Sequence, residues 1–218
     1  MSVDLTPRVD LIPPSEWDER TLDALGAFPA GLKFVLAAWE ARPQSDQRGT
    51  HLLEALANHP ALAKAFLTFN GYIATASSIS ARLRELVILR ISWLRHSEYE
   101  FVQHLVLGRR AGLSEIELDR IQVGPTAAGW ALEDTIVLRA VDELHFDACI
   151  TDDTWTELER LFKIPQILDF IFLVGCYHTL GLVLNSIRLP LEAGVTPLDT
   201  EVRARLHSSH GRSNGSDQ

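Results

Sequence analysis

A chain of 218 residues, 46% of them hydrophobic, is long enough to bury a substantial core and is not the composition of a disordered polymer. A formal net charge of −9 argues against non-specific nucleic-acid binding, which needs a basic surface to neutralise phosphates and release counterions. The two cysteines, Cys149 and Cys176, are too far apart for a CxxC redox pair and supply no disulfide framework, which fits a reducing compartment.

The N-terminal stretch MSVDLTPRVDLIPPSEWDER has no basic segment followed by an apolar run, so no signal peptide is read and a cytoplasmic location is expected. Pro7, Pro13 and Pro14 mark an extended arm, lying over the body or over a neighbouring subunit, with a helix expected from Ser15 as N-cap. The polar stretch PQSDQRGT, Pro43 to Thr50, reads as a loop between helical patterns. A helix is predicted over Ala61 to Ile73 and another, after the Ser77-Ser78 break, over Ala81 to Leu94. In the second, Leu83, Val87, Ile91 and Leu94 form one apolar stripe.

Two capping boxes follow. Ser97-x-x-Glu100 is predicted to open a helix to about Ala111, and Ser114-x-x-Glu117 a short one after the C-cap Gly112. The loop VGPTAAG leads to a helix over about Ala131 to Asp147, and Thr151 to Asp153 cap a helix over Thr154 to Phe162. Pro165 suits the first turn of a long helix that Pro190 stops. Part of it, Ile167 to Leu184, approaches membrane-spanning length. Asp169, His178, Gly175 and Gly181 make a closely packed core helix the better reading, and no membrane association is expected. No segment alternates like a strand, so the predicted class is all-α. The Ser/Gly-rich tail from His207 has nothing to pack and is expected to be disordered.

The candidate chemistry lies between Glu85 and His104. Glu85 shares its helix face with Ala81, Ile88, Leu89 and Ser92, a setting that raises a carboxyl pKa. Glu100 and His104 are i, i+4 neighbours, placing a carboxylate beside an imidazole. Such a trio suits general acid–base work. The same residues admit plain structural roles: Arg82 can pair with Glu85, Glu100 can cap its helix, and a lone helical histidine is commonly structural.

The run RLRELVILRISWLRHSEYEFVQHLVLGRRAGLS, Arg82 to Ser114, resembles the core motif of the carboxymuconolactone decarboxylase and AhpD-like family. The likeness extends from about Leu53 to Glu192 and takes in NHP at Asn58 to Pro60 and DELH at Asp142 to His145. It implies an AhpD-like helical bundle over 53–206, here preceded by an N-terminal arm and helices over 1–52. In AhpD-like members a glutamate, a CxxC pair and a histidine form a thiol relay. Glu85 and His104 match its outer members, but the cysteine positions fall on Ser97 and Glu100. Serine lacks the thiolate and disulfide chemistry that peroxide reduction uses.

The decarboxylase branch resembles this chain in placing a glutamate four residues before the histidine. The resemblance therefore implies cofactor-independent decarboxylation or related proton transfer on a small carboxylated lactone or keto acid. His104 would be the acid or base, Glu100 its orienting group and Glu85 a proton relay. Tyr99, Ser97, His178 and Asn185 are candidate substrate contacts, the last two on one face of the long helix with Gly175 and Leu182. Arg82 and Arg84 are candidate oxyanion donors. Family members assemble into rings, so a homo-oligomer is expected, with apolar faces on Phe28 to Trp39 and Leu62 to Ile73 suited to the contacts. Ile167 to Leu189 also looks like a degenerate second copy of Ala81 to Leu105.

Three other readings stay open. His96, Glu100 and His104 at i, i+4 and i+8 could hold a metal, although a helix starting at Ser97 breaks that register, and no metal is assigned. Cys149 or Cys176 could support peroxide or disulfide reduction, although a cysteine in an apolar helix is usually inert. The third is a non-catalytic oligomeric scaffold or ligand-binding protein.

Overall fold

Prolines and short polar side chains set most of the helix boundaries. The computed structural model describes residues 6–41 and 47–208, and among them every regular element is helical, as the all-α expectation requires. In chain order these are α1 (Glu19–Leu25), α2 (Pro29–Glu40), α3 (Thr50–Leu56), α4 (Pro60–Thr75), α5 (Ala81–Leu94), α6 (Glu98–Arg110), α7 (Glu115–Arg120), α8 (Leu132–Phe146), α9 (Asp152–Leu161), α10 (Ile164–Ile187) and α11 (Thr200–Ser208). Pro29, Pro60 and Pro165 occupy first-turn positions, where a missing N–H costs nothing. Ser80 and Thr151 accept from the backbone N–H three residues on, and Ser114 with Glu117 completes the expected capping box.

Several boundaries differ from expectation. Ser15 sits within a 3₁₀ turn, Pro14–Glu16, and α1 begins only after Asp18, whose carboxylate accepts the Thr21 N–H at 2.7 Å. Trp17 intervenes in extended conformation: its ring is buried and its indole N–H donates to the Ile12 carbonyl at 2.8 Å, which holds residue 17 out of a helix. The arm lies against its own body, with the Arg8 N–H on the Ile187 carbonyl and the Asn58 amide on the Asp10 carbonyl. The long helix ends at Arg188, which takes a left-handed φ of 56°, before Pro190 is reached. His207 and Ser208 belong to α11, which Leu206 anchors in the core. The remainder of the expected tail, 209–218, and residues 43–46 of the expected polar loop lie outside the described residues.

At the centre lies α5, packed between α6, α8 and α10. The single apolar stripe predicted for it is an underestimate, because Glu85 to Trp93 are buried without a break. A smaller N-terminal core around Trp17, Leu25, Val35, Leu53, Ala63 and Leu67 joins the main one through Leu52 and Phe66, which pack against both. α10 is long and apolar enough to cross a membrane by length and composition, yet 56% of its most apolar window is buried inside this chain. Its Asp169 is held by the Ser78 N–H and hydroxyl and by the Tyr72 hydroxyl. Gly181 permits a close approach, since a Cβ there would lie 3.1 Å from Glu100 Oε2, whereas Gly175 faces open space and makes no such contact within the chain.

A buried stretch of helix must find partners for its polar side chains. Ser92 donates back to the Ile88 carbonyl at 2.7 Å. Arg90 makes a two-pronged pair with Asp142, both contacts 2.7 Å, and also donates to the Ile121 carbonyl at 2.7 Å. Gly124 (φ 88°) lies so close to this guanidinium that any Cβ would overlap it. Replacing Arg90 with Met leaves a carboxylate and a carbonyl unpaired in the interior and is expected to cost about 3 kcal/mol, read from urea unfolding.

Candidate active site

The site is set by how α5 ends. His96 takes a positive φ of 54°, and the Ser97 N–H reaches back to the Ser92 carbonyl at 2.9 Å in a Schellman-type closure. That bond uses the N–H which a Ser97–Glu100 capping box would need. The predicted box is absent: Ser97 makes no side-chain capping bond, and Glu100 turns inward from the first turn of α6. His96 contacts the Leu206 carbonyl and does not join Glu100 and His104. Among the described residues no group of three His, Cys, Asp or Glu side chains is placed to hold a metal.

Glu85 on α5 and His104 on α6 meet across the helix pair, Oε2 to Nδ1 at 2.7 Å. A carboxylate can only accept, so Nδ1 carries the proton of this bond. The edge of His104 also meets the Tyr177 ring, centroids 5.1 Å apart. Both side chains line a cavity of about 400 Å³ with Glu100, Tyr99 and Gln103. Its apolar walls include Phe28, Leu52, Tyr177, Leu180 and Leu184, and Arg84 and Arg110 supply positive charge.

The two carboxyls of this cavity titrate in opposite directions. Burial alone would raise Glu85, but the charge and hydrogen bond of His104, helped by Arg84, outweigh it and hold the carboxyl below the ordinary range. Glu100, only 2% exposed, has no hydrogen-bond partner on either oxygen. Burial pushes its pKa well above the ordinary value, opposed only weakly by the nearby Ser97 hydroxyl. Their surroundings therefore drive the two acids apart, Glu85 toward the ionised form and Glu100 toward the neutral one.

Several expectations change. Glu85, not Glu100, orients His104. Tyr99 lines the cavity, but its hydroxyl is committed to Glu192 at 2.5 Å, where the Gln103 amide also donates at 2.7 Å. Ser97 is buried beneath Glu100 and is not part of the lining. His178 and Asn185 face elsewhere: His178 stands beside His145, ring centroids 5.8 Å apart, and the Asn185 amide donates to the Arg95 carbonyl. α10 instead presents Tyr177, Leu180 and Leu184 to the cavity. Arg82 is bound to Glu117 and Asp134 and lies outside the lining, leaving Arg84 of the two arginines considered. Burial raises the Cys176 thiol to about 11, and Cys149 is exposed elsewhere.

This arrangement is that of an all-helical protein of AhpD-like fold in which Ser97 and Glu100 lie between the paired Glu85 and His104. Residues 60–142 match the carboxymuconolactone decarboxylase family. A protein of unknown function from Agrobacterium tumefaciens, for which a role as the antioxidant defence protein AhpD has been put forward, has a similar crystal structure. Its TM-score is 0.59 at 20% identity, over 63% of this chain and 95% of that one, so the likeness is one of fold. No curated protein matches the chain.

The raised Glu100 pKa has a stability consequence whose sign follows from linkage. Between the unfolded and folded pKa values the native state holds a proton that the unfolded chain has lost, so stability falls as pH rises, by up to about 1.4 kcal/mol per pH unit from this group. Denaturant unfolding across pH should show this slope in the wild type. In Glu100→Gln it should be absent, with higher stability toward the alkaline side.

Proposed function

We propose that the chain performs cofactor-independent acid–base chemistry, decarboxylation or a related proton transfer, on a small carboxylated lactone or keto acid. The observation that carries this reading is the 2.7 Å Glu85–His104 pair on the wall of an apolar cavity that also holds the unpartnered Glu100. Decarboxylation without a cofactor needs a carbonyl or conjugated system to accept the electron pair released when the C–C bond to the carboxylate breaks. Arg84 and Arg110 suit the substrate carboxylate before the reaction. The neutral Glu100 donates a hydrogen bond to the oxygen on which negative charge develops, and carbon dioxide leaves. Protonated His104, its imidazolium stabilised by Glu85, then delivers a proton to the carbanionic carbon, so one proton is consumed in each turnover.

Peroxide reduction is the weaker reading, because the CxxC positions hold Ser97 and Glu100 and the raised pKa of Cys176 works against thiolate formation. The test is turnover of a panel of carboxylated lactones and β-keto acids, followed by carbon dioxide release and by solvent deuterium incorporation. His104→Gln and Glu85→Gln should each lower kcat by about a hundredfold or more with the fold retained. Replacing both cysteines with serine should leave turnover unchanged. Unchanged turnover in His104→Gln, or binding of the panel with no turnover in the wild type, would reject catalysis in favour of a binding protein.

A further inference from the structure

The cavity beside Glu85 and His104 holds about 400 Å³, within the range of roughly 300–1,000 Å³ over which proteins enclose whole drug-sized molecules. Its acids and its histidine come from α5 and α6, but much of its apolar wall comes from before residue 60, where the segment matching the family begins. Phe28 at the start of α2, Phe34 within it and Leu52 on α3 form that wall. On α6, Leu107 lies one turn beyond His104 on the same face. Phe34 is 44% exposed and Leu107 40%, so large apolar side chains on the cavity wall are left without a protein neighbour to cover them.

This wall is anchored in the fold. The Phe28 ring fits between two glycines: a Cβ at Gly31 would lie 2.7 Å from it, and one at Gly71 on α4 would lie 3.3 Å away. Glycine at both positions makes room for the ring. α3 is tied to α6 through Glu192, a buried carboxylate that accepts from the His51 N–H at 3.2 Å and from the Tyr99 hydroxyl and the Gln103 amide. One side chain thus couples the helix bearing Leu52 to the helix bearing Glu100 and His104.

We infer that this cavity takes an acid bearing an apolar side group of about six carbons or more. The acid end lies at Glu100 and His104, and the side group runs along Phe28, Phe34, Leu52 and Leu107. The chemistry at the acid end rests on the proposed acid–base function; the apolar end rests on the cavity wall alone. A bare lactone or keto acid would leave that wall wet, and each methylene taken out of water against it adds about three- to fourfold in affinity. The side group lies away from the bond that breaks, so its contribution falls on binding, not on the chemical step.

Calorimetric titration of acetate, hexanoate and octanoate into the full-length protein tests this without requiring turnover. Octanoate should saturate one site and bind at least about a hundredfold more tightly than acetate, with hexanoate between them. Phe34→Ala and Leu107→Ala, both at partly exposed positions, should each remove about tenfold of the octanoate advantage. In the wild type, the His104 ring-proton NMR signals should move as octanoate saturates, while those of His145, which does not line the cavity, stay in place. That measurement localises the ligand even if the variants fold poorly. Among β-keto acids, the pentyl homologue of acetoacetate should show a KM at least about tenfold lower at similar kcat. Octanoate binding no tighter than acetate, an advantage that survives both substitutions, unmoved His104 signals, or equal KM values for the two keto acids would each overturn the inference. Chain-length-dependent binding with no turnover of either keto acid would instead sink the acid–base function and leave the inferred occupant standing.

Discussion

Unbroken burial of α5 from Glu85 to Trp93 is the constraint on which the rest of the molecule depends. A helix surrounded by α6, α8 and α10 has no solvent face on which to place Glu85 and Arg90, so each must be satisfied by a specific partner. Five positions apart, they point to different sides of the helix. Glu85 finds His104 on α6, and Arg90 finds Asp142 on α8 together with a carbonyl of the segment after α7. Each pairing lies on the wall of a cavity.

The first cavity divides labour between two carboxyls through their surroundings. Glu85 keeps its charge because a histidine and an arginine stand beside it. Glu100 is pushed toward the neutral form because burial acts on it with no charged neighbour to oppose it. The difference originates in the backbone turn at His96, where the Ser97 N–H is spent on closing α5 and Glu100 is released from capping duty into the interior. Where the resemblance would place a relay cysteine stands a carboxyl group, able to donate a hydrogen bond but not electrons. That exchange moves the proposed chemistry from redox to proton handling on an otherwise shared fold.

The order of the helices was largely readable from local signals, because caps and prolines act within one turn. Thr151, the Ser114–Glu117 box and Pro165 all mark the helix starts that the sequence assigns to them. Errors arose where a distant partner overrode a local rule. The Trp17 indole bond displaced the start of α1, and burial of Leu206 created a helix where a polar tail was expected to begin. Rotation of α10 was the costliest ambiguity. A helix apolar on nearly every side carries no periodic signal for which face turns inward. Polar residues favour the face bearing His178 and Asn185, while the adjacent face of Tyr177, Leu180 and Leu184 meets the cavity.

By itself the sequence determined the helical class, the resemblance of its central segment to the carboxymuconolactone decarboxylase family, the loss of the CxxC pair, and the candidacy of Glu85, Glu100 and His104. Those features are carried by residue identity and short spacings, which need no knowledge of distant contacts. Only the tertiary structure decided which carboxyl holds His104, which stays neutral, and that Glu192 rather than a ligand takes the Tyr99 hydroxyl. Those outcomes depend on burial and on partners up to 93 positions away in the chain. Charge state follows from desolvation and neighbours, quantities that exist only once the helices have packed.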